Sequence, residues 1–115
     1  MDTNDEKVHV LKACLGVARD LASLVEYAED SVISKTLLNK RAGTLTLFAF
    51  DAGQGLSPHT SPYDAVIQVL DGRAVVTIDG QDTQVAAGEL IVMPADVPHA
   101  VTAEQRFKML LTMIR

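Results

Sequence analysis

The sequence predicts an all-β domain, a sandwich or barrel of short antiparallel strands. Three observations carry this. From about Ser31 onward turn signals recur roughly every eight to twelve residues. Two segments, Arg73–Ile78 and Phe107–Ile114, alternate along their length with the period of two that a strand requires. Two histidines, His59 and His99, each follow a proline, which biases the preceding residue (Ser57 and Val97) towards extended backbone.

Taken in order, residues 1–30 form an N-terminal extension and residues 31–115 the barrel. In the extension Leu11, Leu15, Ala18, Leu21 and Val25 fit a helical stripe. Residues 8–11 fit an added strand equally well, and residues 20–26 a short helix. Gly16 weakens a single long helix by roughly 1 kcal/mol relative to alanine. The extension is expected to pack on the barrel or on a partner subunit.

In the barrel, Gly43 separates apolar runs at 32–38 and 44–50. Residues 53–62, rich in Gly, Ser and Pro, read as a loop. An apolar run at 65–70 stops at Asp71-Gly72. Arg73–Ile78 places Ala74, Val76 and Ile78 on one face, and Asp79-Gly80 suits the positive φ angles of a type I′ hairpin turn. Residues 84–86 should pair back. Leu90–Met93 ends at Pro94, and His99–Thr102 starts after Pro98. Phe107–Ile114 is apolar on both faces, so it should be covered on both sides.

The bulk composition excludes several functions. At 115 residues, 48% of them hydrophobic, the chain suits one domain with its own core. The formal net charge is −5 and no basic cluster interrupts it, which argues against a nucleic-acid partner. Cys14 is the single cysteine, so no internal disulfide or CxxC motif exists. The acidic start, MDTNDEK, lacks the basic and apolar parts of a secretory signal. No apolar run approaches the ~20 residues of a membrane helix. A cytoplasmic protein is expected.

The histidine segments carry the chemistry. Residues 53–59 read GQGLSPH and residues 88–99 read GELIVMPADVPH. Histidine is a common metal ligand and a proton carrier near neutral pH. The two segments echo each other, Ala52-Gly53 leading to Pro58-His59 and Ala87-Gly88 to Pro98-His99. Two such halves folded face to face would join both rings in one site.

These residues resemble the cupin superfamily. Its first motif has the form G-x5-H-x-H-x3,4-E-x6-G, matched by Gly53, His59 and Gly72. Its second, G-x5-P-x-G-x2-H-x3-N, is matched by Gly88, Pro94 and His99. The resemblance covers Gly53 to about Ala103 and implies a small single-domain, RmlC-like jelly roll, the antiparallel double-stranded β-helix, usually a homodimer. It departs from the pattern where the ligands lie. Ser61 replaces the second histidine, Ala65 the glutamate, Asp96 the second motif's glycine and Ala103 its asparagine. Of four metal donors only His59 and His99 are kept. Asp64 neighbours the vacated glutamate position, but alternation along a strand would point it away from where Ala65 points.

The candidate site follows. His59 and His99 are the candidate ligands for one divalent metal (Zn, Fe, Ni or Mn), with Asp64 a doubtful third. The competing reading has no metal, the two rings simply hydrogen-bonding in the barrel mouth. Ser61, Gln68 and Met93 join the two histidines as candidate lining for a small-molecule ligand. Met93, Met109 and Met113 suit either such a pocket or plain core packing. The implied function is a cupin that binds a small molecule. The alternatives are a non-enzymatic binding or regulatory module, a metal-free acid–base isomerase or epimerase, and a dimeric scaffold with an empty pocket. Cupins include dioxygenases, isomerases, decarboxylases and sensors, so the resemblance fixes no reaction. His9 is read as a surface or packing residue, and Cys14, among Leu11, Leu15 and Val17, as a small buried hydrophobe rather than a nucleophile.

Overall fold

The structure, a computed structural model, describes residues 9–115. It contains ten strands: β1 (His9–Val10), β2 (Val32–Lys40), β3 (Gly43–Phe50), β4 (Gly55–His59), β5 (Asp64–Asp71), β6 (Arg73–Ile78), β7 (Gln81–Ala86), β8 (Leu90–Met93), β9 (His99–Thr102) and β10 (Phe107–Ile114). They form two antiparallel sheets, one ordered β1-β2-β3-β10-β5-β8 and the other β4-β9-β6-β7. This is a jelly roll.

The inner core lies between the sheets. Alternation sends Ala65, Ile67 and Val69 of β5, Ala74 and Val76 of β6, and Phe107 and Met109 of β10 into it. Phe50 and Phe107 stack there with centroids 4.6 Å apart. Each fully buried side chain of this size contributes roughly 1.5–3 kcal/mol. The Asp79-Gly80 turn has φ of 50° and 78°, the conformation expected of it, and joins β6 to β7 in register from Arg73–Ala86 to Ile78–Gln81.

A second apolar layer covers the outside of the larger sheet. Leu47 and Ala49 of β3 and Leu110 of β10 are buried there against Val25, with Leu21, Leu24 and Tyr27 packed around them. Strand β10 is thus covered on both faces. The covering segment is held by Lys108, whose Nζ donates to the Ala22 carbonyl at 2.7 Å, and by the Tyr27 hydroxyl, which donates to Asp71 at 2.5 Å.

Two local expectations are corrected. The extension has no helical stripe; Leu15 is 67% exposed, and Ala18 is also exposed. Its described part consists of β1 and two 3-10 turns, Lys12–Cys14 and Leu21–Leu24. Gly16, at φ 69°, breaks the helical path between them. Cys14 is only half-buried. Of the alternative strand at 8–11, residues 9 and 10 are β1, and Val8 lies outside the described residues. The stretch 53–62 is not all loop, because β4 occupies its centre and pairs with β9.

Candidate functional site

The pairing of β4 with β9 creates the site. His59 ends β4, His99 begins β9, and the two are cross-strand partners after a register irregularity that follows Leu56. Their rings meet edge to face, with centroids 4.4 Å apart, and their Nε2 atoms are 3.1 Å apart. Each ring is fixed from behind by the backbone before its proline. His59 Nδ1 lies 2.8 Å from the Ser57 carbonyl and His99 Nδ1 3.1 Å from that of Val97. A carbonyl only accepts, so each of these two contacts is a hydrogen bond in the tautomer whose Nδ1 carries the proton, and the Nε2 atoms face each other at the pocket end.

His99 is 5% exposed, the buried polar residue among the described residues, whereas His59 stands at the open rim. Burial pushes the His99 pKa below the ordinary imidazole value; the Val97 carbonyl opposes this and a charge on His59 adds to it.

The pocket below the rings is lined by His59, His99, Ser61, Ala65 and seven larger apolar residues, among them Met93, Met109 and Met113. Its internal volume is about 30 Å³. At roughly 10–15 Å³ for one water that is room for two or so. A larger ligand requires side chains to move, and methionines move readily.

The candidate residues divide cleanly. Ser61 and Met93 face the pocket beside the histidines. Gln68 does not. It sits between Ile67 and Val69, which point inward, so alternation sends it to the exposed outer face of β5. Asp64 is also outside the lining; its carboxylate accepts the Ala95 N–H at 2.9 Å. That contact, with Asp96 N–H to the Ser61 carbonyl at 2.7 Å, ties the 94–98 loop to the 60–64 loop and fixes the mouth. The sequence did not signal Leu56, Ile67, Val101 or Leu111 as lining; only the sheet register reveals them.

Asp96 explains one departure from the second motif. It adopts φ of 65°, the left-handed conformation that a glycine normally supplies, and aspartate is among the residues that tolerate it. The turn survives without its glycine.

A family model described as "Cupin domain" matches residues 46–114. The chain is a cupin. Solved structures agree in shape and in sequence. A conserved protein of unknown function from Streptococcus pyogenes superposes with a TM-score of 0.85 at 36% identity, over 94% of this cupin and 93% of that chain. A cupin 2 conserved barrel domain protein from Leptotrichia buccalis gives 0.81 at 44% identity, over 83% of this chain and 46% of that one. Salicylate 1,2-dioxygenase from Pseudoaminobacter salicylatoxidans gives 0.67 at 20% identity, which shows the shared fold alone. An uncharacterized Streptomyces coelicolor protein is 39% identical over 62 residues, 54% of this cupin and 59% of that relative. The match thus spans little more than half of that curated relative.

As a metal centre the donor set is incomplete. The two Nε2 atoms converge, but no group of three or more His, Cys, Asp or Glu side chains comes together among the described residues. A metal held by protein alone takes at least three such donors. The residues present do not fit a protein-held metal. Among the described residues, no helix of this cupin is long and apolar enough to cross a membrane.

Proposed function

We propose that this cupin binds a small organic molecule in the barrel mouth. The apolar part of the ligand lies against the methionine-rich wall and its polar end meets His59 and His99, with Ser61 beside them. The observation that carries this is the lining itself: an apolar pocket whose polar groups, two imidazoles and one hydroxyl, converge at one end. Neither ring is oriented by a carboxylate, since both Nδ1 atoms sit on backbone carbonyls. That favours binding over general-base catalysis. Metal-free proton exchange of an isomerase kind is the second reading, favoured by the direct contact of the two Nε2 atoms.

The test is a thermal-shift screen of small acids, alcohols and sugars on wild type and on a His59→Ala/His99→Ala variant, alongside elemental analysis of both proteins. Ligands that raise the melting temperature of wild type are expected to leave the variant unmoved. Shifts that persist unchanged in the variant overturn the site. Near-stoichiometric Zn, Fe, Ni or Mn in wild type, lost in the variant, replaces this reading with a metal site completed by water or ligand.

A further inference from the structure

The wall opposite the two histidines carries donors of another kind. Ala65 on β5 stands where the family motif places its carboxylate, and its direct cross-strand partners are Met93 on β8 and Met113 on β10. All three side chains line the pocket. Cross-strand neighbours have Cβ atoms roughly 4.5–5.5 Å apart, so a methionine side chain is long enough to reach over the alanine methyl. A thioether thus flanks the vacated position on each side. Both lie on the larger sheet, and the histidines lie on the smaller one that faces it.

The histidines have the geometry of paired ligands. Their Nε2 atoms are 3.1 Å apart. Two imidazoles bound at ~2.0 Å to one tetrahedral ion have nitrogens about 3.3 Å apart. A backbone carbonyl behind each ring, here that of Ser57 and of Val97, is a usual outer partner of a ligating histidine. With His, Cys, Asp and Glu alone the donor set stays incomplete for Zn, Fe, Ni or Mn. Thioether sulfur is a soft donor that favours Cu(I), and imidazole also suits copper. Charge points the same way. The lining has no carboxylate, so a divalent ion would bring two uncompensated charges to an apolar wall where Cu(I) brings one. The internal volume of about 30 Å³ takes one ion as it stands.

We propose that the pocket holds one Cu(I) ion between the imidazoles of His59 and His99 and the thioethers of Met93 and Met113. The exchange of donors carries this. The motif's second histidine and its carboxylate would hold a divalent metal; this chain has Ser61 there, and Ala65 between two methionines. The balance is simple. One Cu(I) enters, all four ligands are neutral, the charge of the site rises by one, and no electron is transferred. The proposal goes beyond the small-molecule reading and does not depend on it.

Anaerobic competition against the Cu(I) chelator bicinchoninate tests it, with Zn(II) as the comparison ion. The protein carries Cys14→Ser throughout, because the single thiol of the chain is itself a soft donor. One Cu(I) per chain is expected, held at least about tenfold more tightly than Zn(II). Met93→Leu and Met113→Leu nearly conserve side-chain volume, and circular dichroism checks that both fold. Each of them, and each of His59→Ala and His99→Ala, is expected to weaken Cu(I) binding at least about tenfold. Affinity for Cu(I) unchanged in any one of the four variants overturns the proposal, as does Zn(II) held as tightly as Cu(I). Absence of Cu(I) binding overturns it too and leaves the small-molecule reading standing. Where a variant does not fold, X-ray absorption of copper on the Cys14→Ser protein decides: sulfur neighbours of the ion are expected, and their absence overturns the proposal.

Discussion

The Nε2 atoms of His59 and His99 face each other at 3.1 Å across the β4–β9 pair, one ring at the rim and the other in the core. Two segments forty residues apart thus become one polar end of an otherwise apolar pocket.

The burial of His99 makes stability depend on pH. Its folded pKa is lowered, with burial the leading cause, so the unfolded chain binds more protons as pH falls below the unfolded value of about 6.5. The contribution of His99 is present above that value and is lost as pH falls from there towards the folded pKa. Asp51 acts in a separate window. The Asp30 and Ala52 N–H groups and Arg106 hold its carboxyl below the usual range, so its contribution is lost only below about pH 4. Urea unfolding is expected to show lower stability at pH 5.5 than at pH 8, with a smaller difference in His99→Gln. Equal differences in the two proteins would contradict the assignment.

Ser61 and Ala65 line the same pocket as the two histidines and stand where the family motif places a histidine and a glutamate. Ser61→His combined with Ala65→Glu should therefore build a four-donor set. The double variant is expected to retain close to one Zn or Ni per chain after dialysis, more than wild type. A folded variant that retains no more metal than wild type would show that the four side chains do not converge.

Gly72 and Gly53 both have positive φ, 73° and 86°, yet they differ in surroundings. A Cβ on Gly72 would lie 2.3 Å from the Arg106 carbonyl oxygen, whereas one on Gly53 meets nothing within 4 Å. Gly53→Ala should cost about 1–2 kcal/mol, the left-handed penalty alone. Gly72→Ala should cost more than that, because the backbone around Arg106 has to move. Guanidinium unfolding of the two variants measures the difference, and equal losses would rule out the clash.

Tyr27 fastens the extension to the larger sheet. Its hydroxyl donates to Asp71, and Arg106 and Lys108 lie 4.6 and 5.0 Å from its ring centre. Burial, and then the Asp71 carboxylate, push the Tyr27 pKa well above the ordinary phenol value. Tyr27→Phe should lose about 1 kcal/mol, the usual net worth of one hydrogen bond. Tyr27→Ala should lose more, since it also removes the ring packed against the outer apolar cluster of Val25, Leu47, Ala49 and Leu110. Chemical denaturation of both variants checks the order.

The barrel was legible because its signals are local. Arg73–Ile78, Leu90–Met93, His99–Thr102 and Phe107–Ile114 have the bounds that alternation and proline placement set. The Asp79-Gly80 turn needs only its own two residues. In the extension the strand at 8–11 and the short helix at 20–26 were legible in part, as β1 and the 3-10 turn Leu21–Leu24, whereas the long helical stripe misled, because Val25 is buried, and Leu21 partly so, by packing with Leu47, Ala49 and Leu110. That burial is tertiary and leaves no local period. In the site, motif spacing located His59, Ser61 and His99. Gln68 was misplaced because it lies an odd number of residues from Ala65, which faces the pocket, so alternation along β5 puts it on the opposite face. The contact between the two Nε2 atoms depends on an irregularity in β4 that no residue type announces.

The order of the larger sheet bears on how the chain reaches this state during synthesis. Strand β10 sits between β3 and β5, yet it comes last in sequence. On the ribosome, β3 and β5 emerge well before the strand that joins them. Their hydrogen-bonding edges, flanked by apolar faces, stay open until Phe107–Ile114 is released. Open edges of this kind invite pairing with other chains. The nascent protein therefore depends on completing Phe107–Ile114 before its earlier edges meet another nascent chain.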